Sequence, residues 1–177
     1  MKRFFSLLIV AVMSLVLFAG CGGDEKTVLV DEDTTATITD SGDGEFSMTV
    51  EDDEAGTMSF EGGKNLAPPD NWPKGELPLY SGSEVVFAMK NSAGDTNKES
   101  AMVAIGCDAS IADVAAFYKG KLSSAQDFSV LEMDGYVMLS GVMGDVGFSI
   151  AVNNEAGSDW AGSKDYPTYA LMSYYQP

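Results

Sequence analysis

The chain has 177 residues, 27 Asp and Glu against ten Lys and Arg, a formal charge of −17, no histidine and two cysteines. The missing histidine excludes Ser-His-Asp and Cys-His catalysis and any His-ligated metal site. The acidic balance opposes nucleic acid and other phosphate-rich partners.

Met1-Lys2-Arg3 is followed by an apolar run over 4–19 and by Gly20-Cys21-Gly22-Gly23. Positive charges, an apolar run and a small-residue exit are the three parts of a secretory signal. The run is shorter than the roughly 20 apolar residues of a membrane span. Phe18-Ala19-Gly20-Cys21 resembles the lipobox of bacterial lipoproteins, with Phe18 where Leu is more usual. The resemblance implies a signal over 1–20, cleavage before Cys21, and diacylglycerol and N-acyl chains on Cys21. It places the protein outside the cytoplasm, held on a bacterial membrane. Loss of Lys2 and Arg3 would take the charge to −19. With Cys21 acylated, Cys107 has no disulfide partner in the chain.

Residues 24–63 hold 13 Asp and Glu against one Lys. Apolar residues alternate at Ala36/Ile38, Phe46/Met48/Val50 and Met58/Phe60, with Thr, Ser and Glu between them. Asp40-Ser41-Gly42-Asp43-Gly44 and residues 51–56 carry turn chemistry. The pattern predicts a small acidic β-meander, or a spacer, over 21–63. Residues 64–82 contain Pro68, Pro69, Pro73 and Pro78 and read as a Pro-rich linker, with Trp72 and Tyr80 tucked against the domain they introduce.

The unit over 83–177 is better marked. Strands are predicted over 84–90 and 100–107, with Val85, Phe87 and Met89 on one face of the first and Val103, Ile105 and Cys107 on one face of the second. Ile111, Val114, Ala115, Tyr118 and Leu122 then fall on one side of a helix, with Ser110 and Asp113 at its amino end in the manner of a capping box. Period two returns over 128–133 and 136–140. These flank Asp134-Gly135, a signal for a two-residue hairpin of type I′. Strands over 144–152 and 168–175 complete ββαββββ. The predicted class is α+β, an antiparallel β-sheet with one helix packed on it.

Pro78-Leu79-Tyr80-Ser81-Gly82 and the later run Asp113-Val114-Ala115-Ala116-Phe117-Tyr118-Lys119-Gly120-Lys121-Leu122 resemble a domain of uncharacterised bacterial lipoproteins. That domain carries P-x-Y-P-G and then V-x-x-F/A-Y-K-x-x-L. The match spans about residues 76–177 and departs at Ser81, where Pro is usual. It implies no functional residues.

Candidate sites are few. Asp40, Asp43 and Glu45, and separately Asp52 and Asp53, are the oxygen-rich groups that could draw calcium, yet neither group has the spacing of a calcium loop and solvated turns explain both. Trp160 and Tyr166, in a long polar loop, are candidates for a ligand or partner contact; packing over the sheet explains them as well. Cys107 reads as a buried apolar group. The expectation is a lipid-anchored, non-enzymatic envelope protein, a module for an unknown protein or wall component, with no cofactor beyond the lipid on Cys21. The alternative is a lipoprotein that binds a small molecule or a cation such as calcium.

Overall fold

The computed structural model describes residues 26–29, 34–40, 45–52, 56–93, 99–154 and 166–176. In chain order these form β1 (Lys26–Leu29), β2 (Thr34–Asp40), β3 (Phe46–Asp52), β4 (Gly56–Gly62), β5 (Glu84–Ala93), β6 (Glu99–Cys107), α1 (Ile111–Leu122), β7 (Gln126–Met133), β8 (Tyr136–Met143), β9 (Val146–Asn153) and β10 (Thr168–Tyr175). All ten strands belong to one antiparallel sheet, ordered β1-β2-β3-β4-β5-β6-β10-β9-β8-β7. The chain runs as a meander from β1 to β6, crosses through α1 to the far edge, and returns strand by strand until β10 closes against β6. The expected antiparallel sheet with one helix packed on it is present. Among the described residues, ten strands and one helix make the fold mostly β, so α+β describes it loosely.

The helix forms where the apolar stripe placed it. The Ser110 Oγ accepts from the Asp113 backbone N–H at 3.2 Å, which satisfies one amino-terminal donor, and donates to the Asp113 carboxylate at 2.6 Å. Val114, Ala115, Tyr118 and Leu122 are buried against β8, β9 and β10. Lys119 and Lys121 lie in the last turn, where the helix dipole favours cations. Lys119 also reaches Glu132 on edge strand β7 at 2.5 Å. The Tyr118 hydroxyl donates to the Met172 sulfur at 3.2 Å. Met133 and Tyr136 pair around Asp134-Gly135, but only Gly135 has positive φ, +70°. Type I′ needs positive φ at both central residues, so the hairpin turn is not of that type.

The sheet has two unlike faces. The face under α1 carries Val103, Ile105 and Cys107 of β6, Val137 and Leu139 of β8, Phe148, Ile150 and Val152 of β9, and Ala170, Met172 and Tyr174 of β10. Residues 64–82 lie on this same face. Trp72 and Leu77 enter its core, and the Trp72 indole N–H donates to the Leu77 carbonyl at 2.9 Å. The Trp72 and Tyr174 rings meet edge to face at 5.8 Å. The stretch begins with hydrogen bonds from the Gly63 and Leu66 amides to the carbonyls of Val86 and Val85. β4 pairs directly with β5, so the acidic meander and the later strands share one ladder.

The opposite face collects Ala36 and Ile38, Met48 and Val50, Met58 and Phe60, Phe87 and Met89. The expectation that Val85, Phe87 and Met89 share a face fails. A β-bulge between Val85 and Phe87 inserts Val86, and one extra residue exchanges the faces of everything after it. Val85 and Ala88 therefore serve the helix side, and Val86, Phe87 and Met89 the other.

Candidate functional site

Two features of the sheet have the shape of a site. The first is its face opposite α1, here the open face. Cross-strand pairing aligns Ile38, Met48, Phe60, Met89 and Met102 in one row over five strands. A second row runs Phe46, Gly62, Phe87, Ala104, Leu171, Ala151, Met138 and Leu131. Ile38, Val50, Met58, Phe87, Met89, Met102, Leu171 and Met138 are only partly buried, while Leu131 and Met133 are about half exposed, at 51% and 57%. Among the described residues, Tyr166 is the one side chain from outside the sheet in the two apolar clusters of this face.

Register also sorts the charges. From β2 across to β7, the described strands place Asp40, Asp52 and Glu84 on the open face, each at a strand end, and no lysine or arginine. Glu51, Glu61 and Lys90 point to the other side. Six of the eight strand methionines are on the open face: Met48, Met58, Met89, Met102, Met133 and Met138. Methionine is unbranched and polarisable and conforms to irregular partners. A surface rich in it suits contact with another apolar surface, not proton transfer or charge recognition.

The second feature is a cleft of about 370 Å³ on the helix side of β4 and β5, roofed by Ala67, Pro68, Pro69 and Asp70 and floored by Ser59, Glu61, Ala88 and Lys90. Lys90 crosses it to Asp70 at 2.7 Å, and this hydrogen bond and charge hold the Asp70 carboxyl below its usual range. Next to Asp70, the Asn71 side-chain oxygen and nitrogen are buried without a hydrogen-bond partner, a state native proteins seldom leave unfilled. A shallower depression of about 160 Å³ joins Thr39, Glu45, Ser47, Glu61 and Leu66.

The candidates read from sequence are not brought together. Cys21, Asp43, Asp53 and Trp160 lie outside the described residues. Asp40 pairs with Phe46 and Asp52 with Thr34, at opposite ends of the β2–β3 ladder, six residues or ~20 Å apart. The Thr34 hydroxyl donates to Asp52 at 2.9 Å. Glu45 lines the shallow depression. Among the described residues, no three Asp, Glu, Cys or His gather as a metal site. Tyr166 is buried, lies over Gly106 where a Cβ would collide with its ring, and meets the Tyr169 ring at 5.8 Å. Burial first, and then a hydrogen bond to Glu84, push its phenol pKa up. Cys107 is fully buried, and burial together with Asp108 pushes its thiol up to about 12. A thiol so raised is a poor nucleophile. No helix of the described residues is long and apolar enough to cross a membrane.

Sequence reading missed the open face because its members come from strands far apart in the chain. The signal was the period-two alternation in each strand; what was lacking was the register that aligns them. No family model, curated protein or solved structure matches the chain.

Proposed function

We propose that the chain is a lipid-anchored protein of a bacterial envelope, outside the cytoplasm, that acts without catalysis as a module binding another protein through the open face of its sheet. The observation that carries the reading is that face: partly exposed apolar residues in register across the sheet, with carboxylates only at its strand ends. Supporting the anchor are the lipobox-like Phe18-Ala19-Gly20-Cys21 and the short distance from Cys21 to β1, which begins at Lys26. Five residues reach at most about 18 Å, so the β1 edge would stay close to the bilayer. The likeness of residues 76–177 to a lipoprotein domain agrees with this. So does the α+β character of residues 83–177 taken alone, one helix on six strands.

The cleft under Pro68-Pro69 favours a second reading, a small polar ligand, because Glu61, Asp70 and Lys90 line it. The mixed charges of Glu61, Asp70 and Lys90 would suit a zwitterion.

Two measurements test the first reading. Cys21→Ala abolishes palmitate incorporation and leaves unprocessed precursor; unchanged labelling refutes the anchor. A photo-crosslinking residue at Met102 captures an envelope protein, and one at Thr49 on the other face does not; equal capture from both refutes the open face as the contact.

A further inference from the structure

We infer that the cleft under Pro68-Pro69 binds a free basic α-amino acid of the lysine or ornithine class. Lys90 takes its carboxylate, Asp70 its α-ammonium and Glu61 its side-chain ammonium. The inference rests on the second reading above, the cleft as a site for a small polar ligand, and names that ligand.

The frame of the cleft is built in advance. Its floor is a square of four side chains on the helix side of the sheet, where Ser59 pairs with Lys90 and Glu61 with Ala88. Its roof is fixed at both ends. The Leu66 amide donates to the Val85 carbonyl at 3.0 Å, and Trp72 is buried in the main core. Two consecutive prolines restrict the roof between those anchors, so little ordering remains to oppose a ligand. The volume of about 370 Å³ lies at the small end of ligand sites, which suits a molecule of amino-acid size.

The charged groups keep unused hydrogen-bonding capacity. Lys90 has three donors and spends one on Asp70 Oδ1, at 2.7 Å. Asp70 Oδ1 also accepts from the Asn71 amide, while Oδ2 has no partner among the described residues. The Glu61 carboxylate has none among them either. An α-amino acid carries a carboxylate and an ammonium on one carbon. Its head can therefore lie alongside the Lys90–Asp70 pair and close a ring of alternating charge without breaking that pair.

Charge selects the class. The cleft holds two carboxylates and one ammonium. An anion would face Glu61, and a metal ion would face Lys90. A zwitterion with an uncharged side chain leaves Glu61 without a counter-charge. A simple diamine leaves the spare donors of Lys90 without an acceptor. One carboxylate and two ammonium groups match all three. Spacing agrees with this. Glu61 lies diagonal to Lys90 across the β4–β5 ladder, about 7–8 Å away at the backbone, so the second ammonium must stand off on a stem of several methylenes. Ala67, Pro68 and Ala88 give that stem apolar cover. Glu61 is also the residue that the cleft shares with the shallower depression, so the far end of the stem has room beside it.

The test is isothermal titration calorimetry on the full chain in non-ionic detergent, at about 0.15 M sodium chloride to screen general attraction to an acidic protein. Lysine should bind with a Kd below about 1 mM. Norleucine lacks the side-chain ammonium, Nα-acetyl-lysine the α-ammonium and cadaverine the carboxylate; each should bind at least about tenfold more weakly. Glu61→Gln should bring lysine down to the level of norleucine and leave norleucine unchanged. Glu51→Gln, on the same side of the sheet but outside the cleft, should change neither. Both glutamates are exposed, and far-UV circular dichroism establishes that the variants fold. Lysine that binds no better than the three analogues, or that is indifferent to Glu61→Gln, overturns the inference. If the binding that remains is lost in Lys90→Met, the reading of the cleft as a small-ligand site stands without it. No binding by any of the four compounds overturns the inference and the zwitterion reading together.

Discussion

Truncating Trp72 tests whether residues 64–82 belong to the core. Trp72 is 4% exposed, meets Tyr174 edge to face and donates its indole N–H to Leu77, itself fully buried. Trp72→Ala removes a large buried ring, at a cost of about 3–5 kcal/mol. It also strips the Leu77 carbonyl of its donor, at about 1 kcal/mol. A domain of this size loses ~2–4 °C of melting temperature per kcal/mol, so the midpoint should fall by about 10 °C or more. Trp72→Phe keeps most of the packing and loses the donor, and should cost about 1–2 kcal/mol. The assay is thermal and urea unfolding followed by far-UV circular dichroism, because fluorescence would lose its main reporter. If residues 64–82 were a solvated linker, both variants would fall within about 0.5 kcal/mol of the parent, the usual range for surface changes. That result would refute the assignment of Trp72 to the core.

Alkaline pH should unfold the protein. The Cys107 thiol is raised from 9.0 to about 12 and the Tyr174 phenol from 10.0 to about 12, both mainly by burial, and Tyr118 and Tyr166 are raised in the same direction. Each group is neutral when protonated and holds its proton more tightly when folded. Its contribution is therefore complete below the unfolded pKa and is lost as pH rises toward the folded one, at up to about 1.4 kcal/mol per pH unit per group. The urea midpoint should fall steeply between pH 9 and 12; a midpoint flat across that window contradicts the burial. Calcium and magnesium should move the thermal midpoint alike, and sodium chloride at matched ionic strength should reproduce the shift by screening. A calcium-only rise approaching the ~2.7 kcal/mol of a hundredfold excess over Kd, lost in Asp52→Asn, would establish a cation site.

Much of residues 83–177 was legible because its cues are local. The stripe from Ile111 to Leu122, the Ser110 cap and the Asp134-Gly135 turn each act within a few residues, and each appears at its expected place. β1 was missed because Lys26–Leu29 is four residues long in an acidic setting and shows no alternation of its own. The pairing of β4 with β5 spans the proline-rich stretch, and no local pattern encodes a partner twenty residues away. Trp72 was read as tucked against the following strands, but its depth follows from Tyr174, which lies 102 positions along the chain. The bulge at Val86 was invisible for another reason. Val85-Val86-Phe87-Ala88-Met89 is apolar throughout, so an alternating reading fits it in either phase.

That unbroken run explains how one sheet carries two cores on opposite faces. In β2, β3 and β4 the apolar residues point away from the helix side, and Thr37, Thr49, Ser59 and Glu61 face it. In β6, β10, β9 and β8 the main core lies on the helix side. The apolar side of the sheet changes between β4 and β6, so the strand between them must be apolar on both. β5 meets that demand with Val85 and Ala88 on one side and Val86, Phe87 and Met89 on the other. The inserted Val86 lets both sets fall in register with Ile105, Ala104, Val103 and Met102 of β6. Its carbonyl, displaced from the regular ladder, accepts from the Gly63 amide at 3.1 Å, where the chain leaves β4 for the segment that carries Trp72. The bulge thus joins three things: the change of apolar side, the entry of residues 64–82 onto the helix face, and the emergence of Phe87 and Met89 on the opposite face.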